Sequence, residues 1–197
     1  MNIKDELEKT VGKREGIYLN GIEIDPLAIK AIMINEVVPL DPKQDFYGEI
    51  DADYMKTTLS LFQGAGANVT CIGDIINRGI YITNAVKEPK TQYTIEKGSI
   101  DKSLPYLEKE LSLFLNVKVI MLMGDTAKKA FNQIAKKVTK KNVIPSLSTY
   151  KIRMNAFYYG DIRVMPSYIM TGGNILIEKS KMQMATEDIA TMLKLIK

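Results

Sequence analysis

The stretch VKVIMLMGDTAKKA, residues 117–130, decides the fold class of this chain. Its first half, from Val117 to Met123, is a short apolar run with polar turns on both sides, which is typical of a strand buried on both faces of a parallel sheet. Its second half begins a helical pattern that extends over residues 125–137. A buried strand that leads directly into a helix is the building unit of an α/β protein.

The rest of the chain repeats this alternation. Short apolar runs predict further strands at residues 31–34, 80–83 and 162–165. Apolar stripes predict further helices at residues 54–62, 104–114 and 178–197. Residues 150–160 end in FYYG and predict a β-hairpin at the edge of the sheet. We therefore expect a single domain over residues 1–197, a three-layer α/β/α sandwich around a mainly parallel four-stranded sheet.

Composition limits the chemistry that this chain can perform. It contains no histidine, which excludes Ser-His-Asp triads and histidine-ligated zinc hydrolases. Cys71 is the sole cysteine, so the chain alone forms neither a disulfide nor a cysteine-ligated cluster. We expect no metal and no organic cofactor.

Charge and hydropathy indicate the surroundings of the protein. The net charge of +4 permits a nucleic-acid partner without requiring one. The N-terminus has no apolar signal segment, and no run of about 18 apolar residues occurs. We expect a cytoplasmic monomer that does not enter a membrane.

Ligands of parallel sheets bind beyond the carboxyl ends of the strands. The loop after the first predicted strand reads NEVVPLDPKQDFYG at residues 35–48. Its amide, its carboxylate and its aromatic pair suit a pocket wall, and these residues are Asn35, Glu36, Phe46 and Tyr47. The prolines of this loop are also compatible with an ordinary connection.

The second predicted strand ends in YITNAVK, residues 81–87. Asn84 carries a donor and an acceptor side by side, which matches the hydrogen-bonding edge of a base, and Lys87 suits a phosphate. Taken alone, Asn84 also fits a turn or a cap. After the third strand, the free amides at residues 124–126 either receive an anion or are capped by Asp125.

The order and spacing of these segments resemble the uracil-DNA glycosylase superfamily over about residues 30–175. The most similar branch is the bacterial and archaeal one that carries an iron-sulfur cluster. Residues 35–39 resemble its GEAPG motif, Phe46 and Gly48 its pocket phenylalanine and glycine, and residues 81–87 its YITNxVK strand. PYL at residues 105–107 and VIMLMGDTA at residues 119–127 are similar to its PxL helix and VIxLxGxxA strand.

The resemblance implies hydrolysis of the N-glycosidic bond of uracil, or of a related deaminated base, flipped out of DNA. It implies that Phe46 stacks on the base and that Asn84 binds its edge. Glu36 becomes the candidate that orients and partly deprotonates the attacking water, and Asn35 could orient the same water.

Two departures from the family pattern stand out. Cysteines of the cluster are expected near Glu88 and Ser103, where the chain has none, so the cluster is absent and another feature must brace this region. The final motif, usually YHPS, is matched by YIMT at residues 168–171. Ile169 therefore replaces a histidine that donates to the departing base, and loss of one such donor costs about 100- to 1000-fold in rate.

The segment at residues 167–174 contains a possible substitute for that donor. A glycine pair lets the backbone approach a ligand closely. The candidates in this segment are Ser167, Tyr168, Thr171, Asn174 and the amides of Gly172 and Gly173. The same segment also fits a simple turn before the last helix.

Basic side chains cluster after the third predicted strand, at Lys128, Lys129, Lys136, Lys137, Lys140 and Lys141. They form either a phosphate-binding face or an ordinary solvated helix surface.

The sequence leaves three functions open. The first is a glycosylase that releases uracil or a related deaminated base from DNA. The second is a protein that binds DNA or a base with little or no turnover, which the missing histidine favours. The third is an enzyme that acts on free nucleosides or nucleotides, which the modest net charge permits.

Overall fold

The computed structural model describes residues 1–92 and 94–197, except for the side chain of Asn174. The helices are α1 (Ile3–Val11), α2 (Asp53–Gly64), α3 (Ile72–Asn77), α4 (Lys97–Leu113), α5 (Asp125–Thr139), α6 (Thr149–Ile152), α7 (Gly173–Ile177) and α8 (Lys179–Leu195). The strands are β1 (Ala31–Val37), β2 (Ile80–Val86), β3 (Val119–Met123), β4 (Phe157–Tyr159) and β5 (Ile162–Ser167). Of the helices in these residues, none has the length and apolar character to span a bilayer.

The strands form one sheet in the order β2-β1-β3-β5-β4. Four strands run parallel, and β4 pairs antiparallel with β5. The predicted fold class is confirmed, with five strands instead of four. The extra strand is the first arm of the predicted hairpin, in which Tyr159 pairs with Ile162 across Gly160.

Helices cover both faces of the sheet, because successive side chains of a strand point to opposite sides. Ile32 and Ile34 of β1 pack in a core with α1, α4 and α5. Ala31 and Met33 pack in a second core with α2, α3 and α8. Every residue of β2 and of β3 is buried, which explains why these strands are continuous apolar runs in the sequence.

The connections diverge at the carboxyl edge of the sheet. β1 lies between β2 and β3. The chain leaves β1 toward α2 in one helical layer and leaves β3 toward α5 in the other. Such a divergence opens a crevice beyond the strand ends, where ligands of α/β proteins bind.

Candidate active site

Two asparagine side chains lie next to each other at this carboxyl edge. Asn35 of β1 and Asn84 of β2 occupy paired positions in the parallel ladder. Asn35 Nδ2 donates a hydrogen bond of 2.8 Å to Asn84 Oδ1, and neither side chain is more than 1% exposed. The structure thus joins two candidate site residues that lie on separate strands.

Asp45 extends this pair, although the sequence alone did not identify it as a site residue. Asn84 Nδ2 donates to both carboxylate oxygens of Asp45, each at 3.0 Å. A carboxylate only accepts hydrogen bonds, so Asp45 fixes the Asn84 amide with Nδ2 toward itself and Oδ1 toward Asn35. In the sequence, only its position directly before Phe46 could have suggested that Asp45 belongs to the site. An aspartate in a loop is otherwise interpreted as a turn residue.

Thr171 reaches the pair from the loop after β5. Its Oγ1 donates to Asn35 Oδ1 at 3.2 Å, and the side chain is buried. The side chains of Asn35, Asp45, Asn84 and Thr171 therefore form one continuous set of hydrogen bonds, here called the amide network. Two strands, β1 and β2, and the loops after β1 and β5 contribute to it.

Burial raises the pKa of Asp45 above its ordinary value of 3.8, while the hydrogen bond from Asn84 and the charge of Lys87 oppose this rise. The cost of ionising the buried carboxyl is absent below the ordinary value and complete above the raised pKa. Stability should therefore fall as pH rises through that window, and Asp45→Asn should flatten this part of the profile. Urea unfolding of both proteins between about pH 4 and about pH 8 measures the difference.

A second buried carboxyl, Asp188, also has a pKa raised by desolvation. It is present in both proteins, so its contribution cancels when the two profiles are subtracted. Parallel profiles for the wild type and Asp45→Asn would show that Asp45 ionises as freely in the folded protein as in the unfolded chain.

Aromatic rings lie beside the amide network. Phe46 is 1% exposed, and its ring centroid is 5.3 Å from that of Tyr54 in a tilted arrangement. The Tyr54 hydroxyl donates to Val37 O at 3.0 Å, and burial with the nearby charge of Asp45 raises its pKa to about 12. Phe46 also lines a cavity of about 420 Å³, together with Tyr47 and Met55.

Glu36 faces the opposite side of the sheet from Asn35, because neighbouring residues in a strand alternate. Its Oε1 accepts a 2.9 Å hydrogen bond from the backbone N–H of Thr126, in the first turn of α5. Gly124 makes this approach possible: its φ is +109°, and a Cβ there would lie 2.5 Å from Glu36 Oε1. The anion at this helix start is therefore Glu36, while Asp125 pairs with Lys128 instead of capping the helix.

Tyr47 supports the edge of the sheet. Its hydroxyl donates to Ile82 O at 2.8 Å and accepts from Ile82 N at 3.0 Å. It thus satisfies the backbone groups of β2, the outermost strand on this side. Both functions of the hydroxyl are thereby occupied, while Tyr47 also lines the cavity beside Phe46.

Lys87 is buried against α4, on the face of the sheet opposite to Asn84. This burial corrects the expectation that Lys87 meets a phosphate. Its Nζ lies 2.5 Å from Glu110 Oε2 and 2.6 Å from Thr83 Oγ1, and the side chain is 4% exposed. The Tyr81 hydroxyl donates to Glu110 Oε1 at 2.7 Å. We call these four residues the Lys87–Glu110 cluster, and they form a structural core element.

The loop after β5 is divided between structural and accessible side chains. Ser167 Oγ donates to Asp188 Oδ2 at 2.6 Å, which ties β5 to α8 and leaves this hydroxyl no free proton for a base. Tyr168 is half-buried, and Ile169 is 37% exposed. Asn174 was predicted to bind substrate, but its side chain lies outside the described residues.

A polar arrangement connects the regions of Glu88 and Ser103, near which the family resemblance led us to expect cysteines. The backbone N–H of Lys87 donates to Ser103 Oγ at 2.8 Å, and Ser103 Oγ donates to Ser99 O at 2.8 Å. Lys102 and Glu88 form an ion pair of 2.9 Å above it. Within residues 1–92 and 94–197, no group of three or more cysteine, aspartate or glutamate side chains could hold a metal ion.

The mainly parallel sheet and the polar side chains gathered at its carboxyl edge define an α/β protein whose candidate ligand site lies at the strand ends. Residues 43–172, more than half of the chain, match the sequence profile of the Uracil DNA glycosylase superfamily. The chain belongs to this superfamily. No curated protein matches the sequence.

Proposed function

We propose that this protein is a DNA glycosylase that hydrolyses the N-glycosidic bond of uracil or of a related deaminated base. The observation that carries the proposal is the hydrogen-bonded pair of Asn35 and Asn84 at the carboxyl edge, where Asp45, next to Phe46 in the chain, also binds Asn84. Glu36 follows Asn35 at the same edge and faces the other side of the sheet, where the start of α5 holds it. Membership of the superfamily supports DNA as the substrate.

Asn84 is the group that we assign to base recognition. An amide presents C=O and N–H side by side, which complements the N–H and C=O edge of uracil. In the free protein Asn35 and Asp45 occupy that edge. A flipped base therefore has to displace at least one of these hydrogen bonds, and the site must open to receive it.

Glu36 is the group that we assign to the water nucleophile. Its Oε1 is held by the N–H of Thr126, and Oε2 has no hydrogen-bond partner in the part of the chain that the structure describes. Oε2 is thus the oxygen that orients the water as positive charge develops on the sugar. The fixed Oε1 limits how far the carboxylate can turn.

Base release from oligonucleotides that contain uracil, hypoxanthine or xanthine tests the proposal. We expect Glu36→Ala to lower the release rate by about 100-fold or more, as loss of a general base does. Glu36→Gln should be equally impaired, although its amide oxygen can still accept from Thr126. Asn84→Ala should lose about 10- to 100-fold, and the exposed Glu15→Gln should match the wild type.

Release that survives both Glu36 substitutions at the wild-type rate would remove Glu36 from the reaction. Release that survives Asn84→Ala would show that the base binds elsewhere. Free deoxyuridine is included as a substrate, because turnover of it without turnover of DNA would indicate an enzyme of free nucleosides.

The exposed Ile169 favours a second candidate function, a protein that binds a base in DNA without efficient turnover. An isoleucine donates no hydrogen bond to a departing base, and its side chain is 37% exposed in the relevant loop. No release from any substrate at high protein concentration, together with tighter binding of uracil-containing DNA than of undamaged DNA, would support this function over the first.

A further inference from the structure

The lysines of α5 separate into two groups in the folded protein. Lys128 is buried, pairs with Asp125 at 2.7 Å and donates to Thr149 Oγ1 at 3.1 Å. Lys137 pairs with Glu108. Both charges are neutralised locally, so neither is available for an external anion.

Lys129 and Lys136 remain exposed and line a groove along α5. Two cavities of about 260 Å³ and about 440 Å³ share Lys129, Asn132 and Ser146, so they form one continuous depression, here called the α5 groove. Lys97 of α4 lines the same groove from the opposite side. Among the described residues, none of these three lysines forms an ion pair.

The outer wall of the groove is fixed by Asn132. Its Nδ2 donates to Ile144 O at 2.7 Å, and its Oδ1 accepts from the backbone N–H groups of Val143 and Ile144 at 3.0 Å each. The loop at residues 142–148 is therefore held against α5, and the groove is present before any ligand binds.

The groove starts beside the proposed catalytic carboxylate. Lys129 lies one helical turn after Thr126, whose N–H holds Glu36. Lys129 and Lys136 are seven positions apart on one helix face, or about 10 Å along the helix axis. The line of cations thus leads away from Glu36 along α5.

We propose that the α5 groove binds the phosphate backbone of the DNA strand that carries the target base, to one side of that base. The cations supply the charge that phosphates require, while Gln133, Asn142 and Ser146 line the groove with polar, uncharged groups. The carboxylate of Asp125 also lines the groove, and its ion pair with Lys128 balances its charge. The proposal rests on the proposed function for the identity of the strand and for the position of the base.

A second basic cavity provides a matched control. It lies at the opposite, amino-terminal edge of the sheet and is lined by Lys30, Arg78, Lys194 and Lys197. The double variant Lys30→Ala/Lys194→Ala removes the same charge as Lys129→Ala/Lys136→Ala. It therefore separates a specific groove from a general attraction between DNA and a basic protein.

Fluorescence anisotropy with a labelled, undamaged single strand of about 16 nucleotides tests the proposal over a series of salt concentrations. We expect Lys129→Ala/Lys136→Ala to weaken DNA binding. The slope of the logarithm of the association constant against the logarithm of the salt concentration should become less steep by about 1.4, or about 0.7 per lost phosphate contact. Lys97→Ala should reduce it by about 0.7. Lys30→Ala/Lys194→Ala should bind like the wild type.

The proposal would be overturned if the two double variants lost equal DNA affinity, or if Lys129→Ala/Lys136→Ala lost none. The undamaged strand makes this result independent of base release, so the groove can stand if the glycosylase proposal fails. If base release occurs, the groove variant should raise KM and leave kcat unchanged, because the phosphate contact is made before and during the reaction alike.

Discussion

Replacement of Glu110 by alanine should lower the free energy of unfolding by about 3–5 kcal/mol, because it leaves a buried ammonium without a counter-charge. Lys87 is 4% exposed and Glu110 is 3% exposed, so water cannot take the place of the lost carboxylate. The hydroxyls of Tyr81 and Thr83 lose their acceptor at the same time. For a chain of this length the melting temperature should fall by about 6–20 °C.

Two further variants show that charge, and not the loss of side-chain volume, causes this effect. Glu110→Gln keeps the size and an acceptor but removes the charge, so it should still be clearly destabilised. The double variant Lys87→Met/Glu110→Leu replaces the ion pair by apolar side chains and should regain most of the lost stability. A loss below about 1 kcal/mol in Glu110→Ala would mean that the pair is solvated, as surface ion pairs are.

Replacement of Ile169 by histidine should raise the rate of base release by about 100- to 1000-fold, if the protein is the glycosylase proposed above. The resemblance to the family matches Ile169 with a histidine and implies that this histidine donates to the departing base. The side chain of Ile169 is 37% exposed, so the substitution costs little in packing. Single-turnover release from a uracil-containing single strand measures the effect.

Ile169→Leu is the matched control, since it changes shape without adding a donor, and it should release uracil at the wild-type rate. The histidine variant should also acquire a pH dependence near the ordinary histidine pKa of about 6.5 that Ile169→Leu lacks. Equal rates in Ile169→His and Ile169→Leu would show that residue 169 does not reach the departing base. The loop at residues 167–174 would then be the place to search for the donor.

Residues on the strands were predicted well, because apolar periodicity is a local property. The run at residues 117–123 became β3 (Val119–Met123), and the pattern at residues 125–137 became α5 (Asp125–Thr139). Asn35 and Asn84 were placed at adjoining strand ends by the rule for parallel sheets, and the structure pairs them. The helices α1, α3, α6 and α7 were not predicted, and α6 occupies the start of the predicted hairpin. The last three are too short to show a clear helical period.

The partners of charged side chains were not predictable in the same way. Lys87 shares one face with Thr83 and Tyr81, because even spacing along a strand places side chains on the same side. Whether Lys87 meets a phosphate or Glu110 nevertheless depends on how α4 packs against β2. The lysines of α5 look equivalent in sequence, but only folding places Lys128 under the loop at residues 142–148 and leaves Lys129 in the α5 groove.

The sequence by itself determined the α/β/α class, the carboxyl-edge position of the candidate site, and the absence of histidine chemistry. Apolar periodicity, the order of strands and helices along the chain, and composition can all be taken from the sequence without knowing which distant residues meet. Only the tertiary structure decided that Asp45 completes the amide network and that Glu36 binds the start of α5. Those contacts join residues far apart in sequence, and burial and hydrogen bonding between such residues depend on the packing of the layers.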